Sequence, residues 1–271
     1  MKLSQILSIT FLSEEKMYQY PFLDFNKMNE LFNDQKLKSS QKIAAMYESM
    51  GGEFYDPEKK IMKGSQVGIV SIGGLPVEVG SDGSLSLLGS HVSLETLRVH
   101  LYRSVGMSSY MSYLNPKGKT LEDVGRTTLE LQHYSVLHMI NISVLLVGIS
   151  IGVEHEFSSQ RDIVHLSRVT VAKTKAQEYP CLILRNPDYY EAYKEILEKT
   201  REVLNKFENN DMEARNLLFP SAKASSVILT GSLKNMLKLV SLKDAGGKED
   251  EFVDALNKID DVLKFVFKDF I

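Results

Sequence analysis

Residues 133–168 read HYSVLHMINISVLLVGISIGVEHEFSSQRDIVHLSR, and the fold turns on how this stretch is divided. Four of the six histidines lie here: His133, His138, His155 and His165. β-Branched residues dominate positions 140–151, the composition of a buried strand. Gly148 and Gly152 fall at its end, where a strand admits close approach of another backbone or of a ligand. From Val153 the pattern turns helical, and Arg161, His165 and Arg168 fall at i, i+4 and i+7, on one helical face. The pattern predicts a buried strand and then a cationic helix, which together deliver polar side chains to an anion-binding pocket.

The apolar run from Ile142 to Val153 is about half of the roughly 20 residues that a bilayer requires, so it predicts a core element and no membrane span. A chain of 271 residues holds one large domain or two small ones and buries a substantial core. With 43% hydrophobic and 25% charged residues it falls in the soluble globular class and outside the disordered and fibrous ones. A net charge of −3 and a pI near 6.1 argue against a dedicated nucleic-acid binder, while leaving room for a local basic site. The single cysteine, Cys181, excludes an internal disulfide and a cysteine-based zinc site, and fits a reducing, cytoplasmic setting. The opening MKLSQILSITFLSEEK has no small-residue cleavage site and reaches charge by Glu14, so no signal peptide is expected.

Before the central stretch, spacing predicts helices over 24–33 and 37–50, the second stopped by Gly51-Gly52. Residues 61–90 place glycines among β-branched residues, with hairpin signals at Gly73-Gly74 and Asp82-Gly83. The glycine spacing there does not make a dinucleotide fingerprint, and a small antiparallel sheet is the expectation. The first 90 residues, which carry this glycine-rich β segment, are expected to form an N-terminal region apart from a domain over 91–271. A helix followed by a loop, RSVGMSSYMSYL, is expected across 92–114. Thr120 with Asp123 forms a capping pair for a helix that carries Leu121, Val124, Thr128 and Leu131 on one face and ends at His133.

After the central stretch come a short apolar strand near 181–185 and a helix begun by Asn186-Pro187. A strand follows at 225–231, then a helix capped by Ser232 with Leu233, Met236, Leu237 and Val240 inward. Ala245-Gly246-Gly247 breaks that helix, and a last one buries Phe252, Leu256, Ile259, Leu263, Val266 and Phe270.

Arginine presents a planar fork suited to phosphate, and histidine adds a donor, so Arg161, His165 and Arg168 form the candidate anion site. The alternative is a surface helix paired with Glu156 and Asp162, an arrangement that is common and weak. His133 and His138 are five apart, which is not zinc spacing, and no metal site is expected. Lys234, Lys238 and Lys243 read by default as solvated lysines, and Cys181 as a buried, inert thiol.

In order along the chain, RSVGMSSY, a helix ending in His133, a buried strand, a basic segment, a long amphipathic helix, EARNLLFP and a strand-plus-helix unit resemble the flavin-dependent thymidylate synthases. The resemblance covers residues from about 100 to 265, and the division at residue 90 rests on it. NLLFP, Thr230, Ser232-Leu233-Lys234-Asn235-Met236 and Leu242-Lys243 keep the frame of the family's closing motif without a gap. The family's Arg-His-Arg signature is replaced by SSQRDIVHLSRVTVAKTKAQEY, and the Asn and Arg of its Asn-x-Arg are Ser232 and Lys234 here.

The resemblance implies an α/β (α+β) fold, an antiparallel or mixed sheet packed with long helices, in a cytoplasmic homotetramer. It implies methylation of dUMP to dTMP with FAD, NADPH and methylenetetrahydrofolate. By position it assigns His133, Ser135, Ser232, Lys234 and Lys238 to the flavin, Arg161, Arg168, Arg215 and Lys243 to the nucleotide, and catalysis to Arg161, His165 and Arg168. A non-catalytic nucleotide- or flavin-binding module on the same fold is the alternative.

Overall fold

The computed structural model describes residues 30–31, 33–34, 39–58, 60–79, 85–87, 90–110, 118–168, 182–184, 186–204, 206, 223–268 and 270–271. At its centre is the expected strand, β7 (Asn141–Ser150), buried without interruption from Val144 onward. Burial on both faces explains why this stretch runs apolar instead of alternating. β7 lies between β3 (Gln66–Ile72) and β10 (Ala224–Ser232), antiparallel to both. The large sheet has the order β6 (Ser90–Val92), β5 (Leu85–Leu87), β4 (Leu75–Val79), β3, β7, β10, β8 (His165–Arg168), and each neighbouring pair is antiparallel. In a small second sheet, β2 (Ile61–Met62) runs antiparallel to β1 (Phe54–Asp56) and parallel to β9 (Leu182–Ile183).

The helices are α1 (Ser39–Ser49), α2 (Leu94–Tyr110), α3 (Leu121–Glu130), α4 (Ile151–Ser158), α5 (Tyr190–Leu204), α6 (Leu233–Val240) and α7 (Asp250–Phe267). Alternation along β7 assigns the layers. Val144 and Leu146 join the core built by α7, in which Phe252, Ile259 and Leu263 are fully buried. Leu145 and Val147 face the other way, against Ile43, Met46 and Tyr47 of α1. The molecule is thus α+β, a largely antiparallel sheet packed with helices on both faces. No helix among the described residues is long and apolar enough to cross a membrane.

The glycine-rich segment is part of this sheet. Gly73 and Gly74, with φ of 63° and 78°, form a two-residue turn that pairs Ile72 with Leu75. Ile69, Ile72, Val77 and Leu85 share one core with α7, so residues before 90 are joined to the later ones by β3–β7 pairing and by packing. Gly148 also answers to its sequence reading: its φ is +77°, and a Cβ there would press on the Gly64 carbonyl, the Met62 sulfur and the Tyr47 ring. Asp82-Gly83 and most of the expected helix over 24–33 lie outside the described residues.

Two boundaries differ from the sequence pattern. α2 continues through Tyr110, so RSVGMSSY is helical where a loop is expected. Its small residues serve a helix crossing: a Cβ on Gly106 would overlap the Leu121 carbonyl, and one on Gly125 would overlap that of Tyr102. Only glycine lets α2 and α3 approach this closely. The second difference concerns the basic helix. α4 is capped by Ser150, whose Oγ accepts from Val153 N, and it ends at Ser158. After a turn in which Ile163 and Val164 are buried, His165–Arg168 form β8 against β10. β-Branched residues here serve a strand entry, and the i, i+4, i+7 spacing of Arg161, His165 and Arg168 carries no helical face.

The capping expectations hold. Thr120 Oγ1 accepts from Asp123 N at 3.1 Å, and Asp123 Oδ2 accepts from Thr120 N at 2.9 Å, a reciprocal box at the start of α3. Asn186 Oδ1 accepts from Asp188 N at 2.9 Å ahead of α5. Ser232 Oγ accepts from Asn235 N at 3.2 Å and starts α6.

Candidate functional site

β7 and β10 are antiparallel, so the entry to one lies beside the exit from the other. Asn141 pairs with Ser232 at this end of the sheet. The 3₁₀ segment Tyr134–Met139 leads into β7, and α6 leads away from β10. Their backbones are joined where Leu233 N donates to Ile140 O at 2.7 Å. Their side chains are joined by His138 Nδ1 and Ser232 Oγ, 2.9 Å apart, and the Lys234 ammonium stands 5.5 Å from the centre of the Tyr134 ring. Ser232 is buried while His133, Ser135 and His138 are exposed, so the junction offers a fixed hydroxyl under an open rim.

The junction gathers most of the residues assigned to a flavin. His133 and Ser135 lie on or next to the 3₁₀ segment, Ser232 and Lys234 at the start of α6, and Lys238 is exposed one turn further on. Two of the first-turn amides of α6 are already satisfied, Leu233 by Ile140 and Asn235 by Ser232. His165 pairs with Thr230, two residues before Ser232 on β10, and the Thr230 and Ser143 hydroxyls are hydrogen-bonded at 2.9 Å. β8 therefore brings His165 to the same end of the sheet.

The nucleotide set is more scattered. Arg161 is exposed on the turn between α4 and β8, and Arg168 lies at the far end of β8, paired in register with Val227. Three residues of strand separate His165 from Arg168, about 10 Å. Lys243 is held by Asp260, a buried carboxylate that also takes Lys264 Nζ at 2.7 Å. Burial at Asp260 draws its pKa upward. The hydrogen bonds and charges of Lys243 and Lys264 more than offset this and hold the carboxyl below its ordinary value. Arg215 and Cys181 lie outside the described residues. Among the described residues no group of three His, Cys, Asp or Glu is placed to hold a metal ion.

Beside the junction is a pocket of about 450 Å³, within the range of small-molecule sites, about 300–1,000 Å³. Tyr134, Tyr102, Arg126 and Glu130 line it, with Leu129 and the C-terminal Phe270 and Ile271. The Arg126 guanidinium lies 4.0 Å over the Tyr102 ring and donates from Nε and Nη2 to Glu122 Oε1 at 3.1 and 2.9 Å. Sequence reading missed Tyr134, Arg126 and Glu130 as pocket residues. Their one available signal is a four-residue spacing along the chain from Arg126 through Glu130 to Tyr134. It also left His138 without a role, since nothing local indicates a partner 94 residues away.

No family model and no curated protein matches the sequence. Among solved structures the chain is similar to the UMP/dUMP methylase PolB from Streptomyces cacaoi bound with 5-Br dUMP. The TM-score is 0.48 at 10% identity, covering 78% of this chain and 94% of that one. The same methylase bound with 5-Br UMP gives a TM-score of 0.46 at 11% identity, over 78% and 93% of the two chains. Thymidylate Synthase X from Helicobacter pylori with FAD and dUMP gives 0.45 at 17% identity, over 67% of this chain and 96% of that one.

Proposed function

We propose that the chain is a divergent relative of the flavin-dependent thymidylate synthases, holding FAD where the 3₁₀ segment meets α6 and a nucleotide nearby. One observation carries this. His138 and Ser232, 94 residues apart, are hydrogen-bonded at the junction of the two segments to which the sequence resemblance assigns the flavin contacts.

The donor set there suits a flavin nucleotide. His133 and Ser135 offer hydrogen bonds to a polar ring edge or ribose, and the buried Ser232 hydroxyl, engaged with His138 and Asn235 N, positions Lys234. Lys234 and Lys238 place positive charge on a helix whose N-terminus adds its own partial positive charge, a combination that favours a diphosphate. Bound flavin would supply the hydride, drawn from NADPH, for the one-carbon unit that methylenetetrahydrofolate gives to dUMP. Arg161, Arg168 and Arg215 hold the nucleotide phosphate in this reading, and Arg161, His165 and Arg168 orient the reacting base. Lys243 joins them only by leaving Asp260. Assembly into a homotetramer belongs to the same reading. Leu131, Tyr134 and Met139, 58%, 40% and 52% exposed, offer apolar surface around the junction for a second copy. The setting is cytoplasmic.

A second reading, a non-catalytic nucleotide- or flavin-binding module, is favoured by the nucleotide set. Arg161, His165 and Arg168 share no helical face, and Lys243 is neutralised by a buried aspartate. Incubating the protein with FAD, NADPH, methylenetetrahydrofolate and dUMP separates the two. Formation of dTMP is the expected result. Stoichiometric FAD without dTMP selects the module, and binding of neither FAD nor dUMP overturns both readings.

A further inference from the structure

The pocket beside Tyr134 contains a charge that its surroundings leave unanswered. Arg126 has partners, since Glu122 takes two of its N–H groups and the Tyr102 ring takes its face. Glu130, one helical turn further along α3, lines the same pocket and has neither a hydrogen bond nor an ion pair among the described residues. Most surface glutamates are simply solvated. Glu130 is exposed as well, but it stands at the wall of a pocket of about 450 Å³ beside apolar and aromatic groups.

Those groups are Tyr134, 40% exposed, Leu129, Ile271 and Phe270, whose ring stacks on Tyr102 at 4.4 Å between centroids. Aromatic faces carry negative potential and attract cations. The Tyr134 ring already does so with Lys234. An anion entering here would meet the Glu130 carboxylate beside an arginine already paired with Glu122.

We propose that this pocket binds a small organic cation, an amine or amidine carried on an aromatic or short apolar body. The ammonium or amidinium donates to the Glu130 carboxylate, a charge-assisted hydrogen bond. The apolar body packs on Leu129, Phe270 and Ile271, and the Tyr134 ring flanks the cation. None of the residues assigned to FAD or to the nucleotide contacts the cation, although Tyr134 lies on the same 3₁₀ segment and its ring meets Lys234, so the test is run on flavin-free protein.

The test titrates benzylamine and benzamidine into the full chain, freed of any flavin, with benzyl alcohol and benzoate as shape-matched controls, and reads binding by saturation-transfer NMR. The amines bind at least about tenfold more tightly than the controls, the size expected of a charge-assisted hydrogen bond. Glu130→Gln keeps the shape, removes the charge and abolishes that preference, while circular dichroism stays unchanged. Should Glu130→Gln fail to fold, Tyr134→Leu, at an exposed ring, lowers amine affinity in its place. No amine binding, equal binding of benzoate, or a preference that survives both substitutions overturns the proposal.

Discussion

His138 Nδ1 lies 2.9 Å from Ser232 Oγ, and the same hydroxyl accepts from Asn235 N at 3.2 Å. Ser232 thus caps α6 and also ties it to the segment that enters β7. Ser232→Ala removes both bonds at once. The expected cost is about 1–2 kcal/mol of stability, the size of a lost helix cap. If the junction holds FAD, its affinity falls at least about tenfold, because the tie to His138 and the position of Lys234 are lost together. Urea unfolding and a flavin titration measure the two effects, and Ser232→Thr restores most of the stability.

Gly106 and Gly125 let α2 and α3 cross in close contact. In Gly106→Ala the new methyl collides with the Leu121 carbonyl, which is backbone and cannot swing away. The helices must separate, at about 2–3 kcal/mol or more. A lowered thermal midpoint is expected. The pocket formed by Tyr102, Arg126 and Tyr134 widens with it, since these residues sit on or beside the two helices.

Asp260 makes stability depend on acid. Its folded pKa is depressed, because Lys243 and Lys264 outweigh the opposing effect of burial. A depressed carboxyl contributes stability that is complete above its unfolded pKa, about 3.9, and is lost as pH falls through the lower folded value. Urea midpoints of the protein are therefore level toward neutrality and fall below about pH 4. Asp260→Asn lowers the neutral-pH midpoint and flattens the acid limb. An unchanged acid limb would count against the pairing.

Arg161 is exposed on a turn, so Arg161→Ala leaves the thermal midpoint within about 1 °C, as surface substitutions do. If it holds the nucleotide phosphate, dUMP affinity falls about tenfold or more, and Arg168→Ala acts in the same direction. Lys243→Ala reverses the balance, lowering stability by leaving the buried Asp260 with Lys264 alone and changing dUMP affinity little. Calorimetric titration of the three variants distinguishes these outcomes.

The sequence makes legible whatever is decided locally. Burial on both faces writes itself into Ile142–Ile149 as an apolar run, and the Thr120–Asp123 box, the Ser232 cap and the Gly73-Gly74 turn each need only a few neighbours. Long-range partners leave no such mark. The spacing of Arg161, His165 and Arg168 fits a helix as well as any sequence, yet pairing of His165–Arg168 with Val227–Thr230 decides for a strand. Gly106 looks like a loop residue until Leu121 lies against it. At the candidate site, His133, Ser135, Ser232 and Lys234 are proposed through family resemblance alone, and the structure places them at one junction. Tyr134 against Lys234, His138 against Ser232, and Asp260 against Lys243 are contacts across the fold.

The proposed function stands or falls on a flavin at the junction of the 3₁₀ segment with α6. The absorbance spectrum of the purified protein, taken again after adding FAD and removing the excess, tests it most directly. A bound flavin near one equivalent per chain, bleached by NADPH and lost in Ser232→Ala, is the expected result. A colourless protein that retains no FAD would contradict it.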